Sequence, residues 1–308
     1  MGLMIDGRYL TEDPGPDTQD GGTFQRARAN IRNWITETGP YTPEPERYHL
    51  FAAWNCPWAH RVLLMIALKR LPITISYARP RRTPDGWVFD ADGPYRDPLM
   101  GVSALHEAYA RVSPAYTGRI TVPLLWDRET ETAVSNESAD IVRMIARAFP
   151  GGPDLSPPEL EAEIDEWNAL IYRNVSNGVY RAGFARTQDA YDTGVRDVFE
   201  TLDRIERHLA ENQWLVGDTF TEADVRLFPT LARFDVAYHY AFKCNIRRLT
   251  DYPRLWAYAR DIYAIPGVAD TVDFDIYKAG YFSPSELRNP LGIVPAGPLI
   301  DWVEPHGR

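Results

Sequence analysis

Asn55-Cys56-Pro57-Trp58-Ala59-His60-Arg61 decides how the chain is read, because it sets a thiol one residue ahead of a proline that can open a helix. Upstream, Tyr48-His49-Leu50-Phe51-Ala52-Ala53-Trp54 reads as a buried strand. Downstream, Trp58, Val62, Met65, Ile66 and Lys69 recur at helical spacing with a mostly apolar face. Proline suits the first helical position, where its missing N–H would have no partner, so Cys56 falls at the cap of a strand-to-helix turn. The unpaired N–H groups and the positive dipole end of a helix favour a thiolate there. A free cysteine of pKa about 8.5 can fall to roughly 3.5–7.5 in such surroundings. Cys56 is therefore a candidate nucleophile.

The 308 residues, 44% of them apolar, can bury a sizeable core and suit two domains better than one. A balance of 33 basic against 43 acidic residues leaves a formal charge of -10, which speaks against a nucleic-acid partner. The opening Met1-Gly2-Leu3-Met4-Ile5-Asp6 has no basic region leading into an apolar run, and Asp6 stands where a myristoylation signal wants Ser or Thr. No run approaches about 18 uninterrupted apolar residues, so no membrane span is expected. A soluble, cytoplasmic protein follows as the expectation. The two cysteines, Cys56 and Cys244, form no secreted disulfide pattern, and Cys244 reads as a small buried hydrophobe. The six histidines, His49, His60, His106, His208, His239 and His306, show no paired ligand spacing, so no metal is expected. Phosphate-loop and dinucleotide fingerprints are missing from the sequence.

Residues 1–45, rich in Gly, Pro, Asp and Thr, read as an N-terminal extension with a short amphipathic piece around residues 24–35. Residues 46–150 read as strand, helix and strand, the last at Ile73-Thr74-Ile75-Ser76-Tyr77, followed by an irregular stretch over residues 79–118 long enough to be functional. Ile120-Thr121-Val122-Pro123-Leu124-Leu125-Trp126 is a strand interrupted by proline, which needs an edge or a special backbone. Ser135-Asn136-Glu137-Ser138 opens a helix continued by Ile141, Ile145 and Phe149, and Gly151-Gly152-Pro153 marks a linker. Residues 155–275 are helical in pattern, with Ile164, Trp167 and Ile171 in one segment and Val198, Leu202, Ile205 and Leu209 in another. Thr221 with Asp224 forms a capping box ahead of Val225, Leu227, Phe228 and Leu231. Residues 276–308 are a proline-rich tail, ordered only where it packs on the body.

In this order, Cys56-Pro57-Trp58-Ala59-His60-Arg61, Thr121-Val122-Pro123, Ser135-Asn136-Glu137-Ser138 and Asn177-Gly178-Val179-Tyr180-Arg181-Ala182-Gly183-Phe184-Ala185 form a set that continues through Thr221-Glu222-Ala223-Asp224-Val225-Arg226-Leu227-Phe228, Phe242-Lys243-Cys244-Asn245 and Asn289-Pro290-Leu291-Gly292-Ile293-Val294-Pro295. The set closely resembles the glutathionyl-hydroquinone reductases, the Xi class of the glutathione transferase superfamily, over nearly the whole chain. The resemblance implies an α/β thioredoxin-like N-terminal domain plus an all-α C-terminal domain, and an enzyme that reduces glutathionyl-hydroquinones through a mixed disulfide of Cys56 with glutathione. It implies that Pro123 is a cis proline, leaving the Val122 backbone to meet the cysteinyl part of glutathione. Glu137 and Ser138 would hold the γ-glutamyl end, with Trp87 and Arg119 also near glutathione. Tyr180 and Tyr281 would act as catalytic hydroxyls, Tyr238 and Trp58 would line the aromatic substrate, and a homodimer is implied.

The tail departs from the family. Where relatives commonly read Lys-Arg-His-Tyr-Tyr, this chain has Lys278-Ala279-Gly280-Tyr281-Phe282, and the Ser-His that usually follows is missing, so a hydroxyl and an imidazole are lost. Glutathione, or another low-molecular-weight thiol with a γ-glutamyl-like end, is the expected co-substrate. Two other readings stay open: an omega-like thioltransferase or dehydroascorbate reductase, and a transferase-fold binding protein in which the thiol is incidental. The basic run Arg79-Pro80-Arg81-Arg82 reads as a solvated loop.

Overall fold

The computed structural model describes residues 2–12, 18, 21–286, 288–305 and 307; the other positions of the extension and His306 in the tail lie outside the described residues. The chain divides into two compact units. One comprises residues 2–12 and 27–153, the other residues 18, 21–26 and 154 onward.

The first unit begins with β1 (Leu3–Ile5) and β2 (Arg8–Leu10), an antiparallel hairpin turned at Asp6-Gly7, both of which have positive φ. Asp-Gly suits a tight hairpin turn because both central residues must enter the left-handed region. A Cβ on Gly7 would also meet the Pro114 carbonyl oxygen. Next comes β3 (Tyr48–Ala52), then α1 (Pro57–Lys69), β4 (Thr74–Tyr77), α2 (Leu105–Val112) and β5 (Gly118–Arg119). β6 (Leu124–Asp127), β7 (Thr132–Ser135) and α3 (Ser138–Ala148) complete the unit. Two sheets result, β2-β1-β5 and β4-β3-β6-β7.

In the larger sheet β3 and β4 are parallel through the α1 crossover, while β6 pairs antiparallel with both β3 and β7. Every residue of β3 and of β6 is buried, as expected for the two inner strands of a covered sheet. The sheet strand begins at Leu124, after Pro123, so the proline lies just outside the ladder it could not complete. A buried Arg47–Asp127 pair, with Nε to Oδ1 at 2.6 Å, ties the start of β3 to the end of β6.

Residues 79–118 are not irregular throughout. They hold α2, whose Glu107 side chain accepts the N–H of Ala104 at 2.9 Å and thereby caps its own helix. Residues 27–36 form no helix and hold one isolated bridge residue, Arg32. The Asn33 N–H donates to Val134 O at 2.9 Å, an isolated antiparallel bridge links Arg32 with Ser135, and Arg32 grips Asp140 with two hydrogen bonds. This stretch of the extension is thus an added edge of the thioredoxin-like unit, with Ile31 and Ile35 buried.

The second unit is helical: α4 (Glu161–Ile171), α5 (Gly178–Gly183), α6 (Gln188–His208), α7 (Glu222–Leu231), α8 (His239–Ala241), α9 (Pro253–Tyr263) and α10 (Phe274–Tyr281). Two π-helical stretches, Tyr172–Ser176 and Phe234–Tyr238, lead into α5 and α8. The capping box forms: Asp224 accepts the Thr221 N–H at 2.8 Å, the Leu215 N–H at 3.0 Å and the Tyr258 hydroxyl at 2.7 Å. The α10 helix carries regular structure to Tyr281, and beyond it Trp302 docks, buried, against Phe228, Trp256 and Phe274. Cys244 is fully buried, and burial pushes its thiol up to about 12. Among the described residues no helix is long and apolar enough to cross a membrane.

One buried group makes the first unit sensitive to acid. His49 in β3 lies between Thr74 Oγ1 at 2.7 Å and Ser76 Oγ at 2.8 Å, and the Ser76 hydroxyl donates to Asp97 at 2.6 Å. Since Ser76 gives its proton to Asp97, its oxygen must accept from His49 Nε2–H, which assigns the neutral tautomer. Burial lowers the His49 pKa to about 4. The unfolded chain, titrating near 6.5, takes up a proton that the folded protein refuses, so stability is present above pH 6.5 and lost as pH falls toward 4, by up to about 3 kcal/mol. The melting temperature is therefore expected to drop across that window, and His49→Gln to flatten the drop. An unchanged acid slope in the variant would contradict the assignment.

Candidate functional site

Cys56 occupies the cap position of α1 with extended backbone, followed by Pro57 at the first helical position, as the sequence spacing requires. Its carbonyl accepts the His60 N–H at 3.0 Å, its own N–H donates to Ala53 O at 3.0 Å, and the side chain remains partly exposed. The register Phe51↔Leu124 between β3 and β6 brings the segment before β6 alongside the segment after β3. Consequently the Cys56 Sγ lies 3.5 Å from the Val122 carbonyl oxygen, and the Val122–Pro123 peptide is cis.

The other residues expected at the thiol site belong to the same unit. Glu137 caps α3, its carboxylate accepting the Ala139 N–H at 3.0 Å, and Ser138 is the first helical residue. The Ser135 hydroxyl accepts the Glu137 N–H at 3.1 Å, which turns the chain from β7 into the helix. Trp87 is buried beneath the Arg82 guanidinium, whose carbon sits 4.5 Å from the ring centre. Arg82 was hidden in a run that reads as solvent-facing, and only the fold reveals its place. Arg119 lies in β5 opposite Leu3, so the small sheet fixes its backbone. The Trp58 ring carries Arg61 at 4.6 Å.

The three tyrosines come together in the helical unit. Tyr180 of α5 and Tyr238 of the second π stretch both hydrogen-bond the Tyr281 hydroxyl, at 2.8 and 2.9 Å, which makes a hydroxyl chain with Tyr281 at its centre. Phe242 packs edge-on to Tyr180 and Tyr281, with centroids 5.2 and 5.6 Å away, and lies tilted against Tyr238 at 5.3 Å. Burial, and then the neighbouring phenols, hold Tyr238 and Tyr281 well above the ordinary phenol value. These hydroxyls stay protonated through the physiological range and can act as neutral donors. Phe242 is a part of this cluster that spacing did not reveal, although Phe242-Lys243-Cys244-Asn245 stood out as a motif.

Family profiles agree with this two-unit layout. Residues 55–148 match the profile described as glutathione S-transferase, N-terminal domain, and residues 188–261 that of the C-terminal domain. A thiol-bearing thioredoxin-like unit followed by a helical unit defines the glutathione transferase fold. Among curated proteins, the chain is 45% identical to glutathionyl-hydroquinone reductase YqjG of Escherichia coli K12, covering 100% of this chain and 98% of that protein. It is 44% identical to glutathionyl-hydroquinone reductase PcpF of Sphingobium chlorophenolicum, over 97% and 96% of the two chains. The glutathione-bound structure of YqjG superposes with a TM-score of 0.87 at 45% identity, covering 90% of this chain and 95% of that one. The Xi transferase of Phanerochaete chrysosporium gives 0.90 at 42% identity over 94% and 97%. The chain belongs to the Xi-class glutathione transferases, the family of the glutathionyl-hydroquinone reductases.

Tyr281→Phe removes the hydroxyl to which both Tyr238 and Tyr180 are hydrogen-bonded. It is expected to cost roughly 1–3 kcal/mol, more than Tyr180→Phe, which leaves the Tyr238–Tyr281 bond in place. Urea midpoints of the two variants measure the difference, and equal midpoints would refute the shared-centre arrangement.

Proposed function

We propose that the protein reductively removes glutathione from glutathionyl-hydroquinones, releasing the hydroquinone and oxidised glutathione. One observation carries the proposal: Cys56 is a partly exposed thiol at a helix N-terminus, with its sulfur beside the Val122 backbone that precedes β6. A thiol needed only for packing would be enclosed, as Cys244 is.

The Cys56 thiolate attacks the glutathionyl sulfur of the conjugate. The new S–S bond forms as the carbon–sulfur bond breaks, and its electron pair goes to the ring, which takes up a proton at the released carbon. Cys56 and the glutathionyl group are left as a mixed disulfide. A second glutathione attacks the glutathionyl sulfur, expels the Cys56 thiolate and leaves as oxidised glutathione, so each conjugate reduced consumes one free glutathione, the other half of the disulfide coming from the conjugate itself. With Ala59 in place of a second cysteine, no resolving thiol follows Cys56 at the helix start, which favours an external thiol for this step.

The glutathione moiety is assigned to the first unit. Val122 offers backbone groups to its cysteinyl portion, Glu137 a carboxylate to its amine, and Ser138, at the opening of α3, a hydroxyl to its γ-glutamyl carboxylate. Arg119 supplies a cation for the remaining carboxylate and Trp87 an indole alongside. Tyr180, Tyr238 and Tyr281 are assigned to the ring, their neutral hydroxyls donating to its oxygens as negative charge develops there. The family supports glutathione as the thiol. A cytosolic homodimer, acting without metal on a small aromatic conjugate, completes the proposal.

Cys56→Ser is expected to retain the fold, with a melting temperature close to that of the parent, and to lose at least about a thousandfold in turnover of a glutathionyl-hydroquinone. Turnover surviving in this variant would sink the nucleophile assignment.

A further inference from the structure

We propose that Arg26 is a positioning residue for Tyr180, acting from a strap of extended chain laid along the helix that carries this tyrosine. The inference rests on the assignment of the tyrosines to the aromatic ring and adds to it a residue from outside every motif that marks the family resemblance.

Residues 21–26 belong to the helical unit and span α5 from one end to the other. At the C-terminal side of α5, Gly22 O accepts the Arg186 N–H at 2.9 Å and Gly21 O accepts the Thr187 hydroxyl at 2.7 Å. Gly22 has a φ of +80°, and a Cβ there would press on Arg186 and Thr187 at 3.0 Å, so only glycine lets the strap lie this close. In the middle, buried Phe24 packs on Phe184 with ring centres 5.2 Å apart. At the N-terminal side, Arg26 Nε donates to Asn177 Oδ1 at 2.8 Å, and the Asn177 carbonyl in turn accepts the Tyr180 N–H at 3.1 Å. The same guanidinium lies over the Tyr180 ring, its carbon 4.6 Å from the centroid.

One side chain therefore holds both the backbone from which Tyr180 projects and the face of its ring. Arginine suits the task because its planar group can donate from an edge while stacking by a face, which a lysine ammonium cannot do. Two consequences follow. The ring is held in the orientation that puts its hydroxyl 2.8 Å from Tyr281, and the cation above the ring draws electron density from the phenol, strengthening its O–H as a donor. Both favour the step in which charge develops on the ring oxygens of the conjugate. Neither bears on the later attack of glutathione on the mixed disulfide, which involves no aromatic ring.

The test compares wild type, Arg26→Met and Arg26→Lys in the two half-reactions taken separately, using 2-glutathionylhydroquinone as probe. Rapid quenching and mass spectrometry follow transfer of the glutathionyl group to Cys56. Clearance of a mixed disulfide preformed with oxidised glutathione is followed in a second experiment. Arg26→Met is expected to slow the transfer about tenfold while clearance and glutathione affinity change less than about twofold. Arg26→Lys, which keeps the charge and loses the fork, should recover only part of the loss. Equal transfer rates in wild type and Arg26→Met would overturn the inference and leave the proposed function standing. Equal slowing of both half-reactions would also overturn it, reducing the strap to general support. Failure of the wild type to take up a glutathionyl group would instead overturn the proposed function, and the inference with it.

Discussion

The antiparallel pairing of β3 with β6 is the constraint on which the thiol site depends. Its register, Phe51 opposite Leu124, decides what stands next to what at one end of the sheet: the chain leaving β3 reaches Cys56, and the chain about to enter β6 passes through Val122 and Pro123. A slip of one residue would turn every buried side chain of β6 to the wrong face, so burial on both sides of these strands specifies the pairing strongly. The Arg47–Asp127 pair closes the other end, where both charges are out of water and each has its partner in two-point contact. Removal of Arg47 would leave the Asp127 carboxylate buried without its cation, the costly case for an interior ion pair, whereas Arg47 would keep Glu129 at 3.0 Å if Asp127 were removed.

In the proposed reaction the two units divide the labour. The thioredoxin-like unit presents a sulfur, a backbone segment and a capped helix start, which together suit a peptide thiol. The helical unit presents three phenols and Phe242, which suit a flat ring with oxygens at its edge. Tyr281 is hydrogen-bonded to both Tyr180 and Tyr238, and burial raises the pKa of Tyr238 and Tyr281, so these two hydroxyls are equipped to donate protons and not to carry charge. The departure at Lys278-Ala279-Gly280-Tyr281-Phe282 leaves this hydroxyl chain intact, since Tyr281 is its centre, and Phe282 lies tilted against Tyr240 with ring centres 5.6 Å apart.

What could be read from the sequence was whatever is encoded locally. The turn at Cys56-Pro57 was legible because proline at a helix start has one physical reason to be there, and the Thr221–Asp224 cap because its two hydrogen bonds span only three residues. The helix α2 escaped because its cap is Ala104, with no hydroxyl to announce it, and because only Leu105, Ala108 and Tyr109 are buried in it. The N-terminal hairpin has a local signal in Asp6-Gly7, both of which take positive φ at its turn. The amphipathic piece around residues 24–35 had a pattern but no address, since the partners of Arg26, Arg32 and Asn33, namely Asn177, Tyr180, Asp140 and Val134, lie about a hundred residues or more away in the chain and only the fold brings them near. His49 likewise reads as a polar interruption of an apolar strand until Thr74, Ser76 and Asp97 are seen around it.

A single turnover tests the central assignment most directly. Wild-type protein is mixed with a glutathionyl-hydroquinone in the absence of any free thiol, and both the released aromatic and the protein mass are measured, followed by peptide mapping. Hydroquinone should appear in an amount equal to the protein, with one glutathionyl group on the peptide containing Cys56 and none on that containing Cys244. Release of hydroquinone with Cys56 left unmodified would contradict the account.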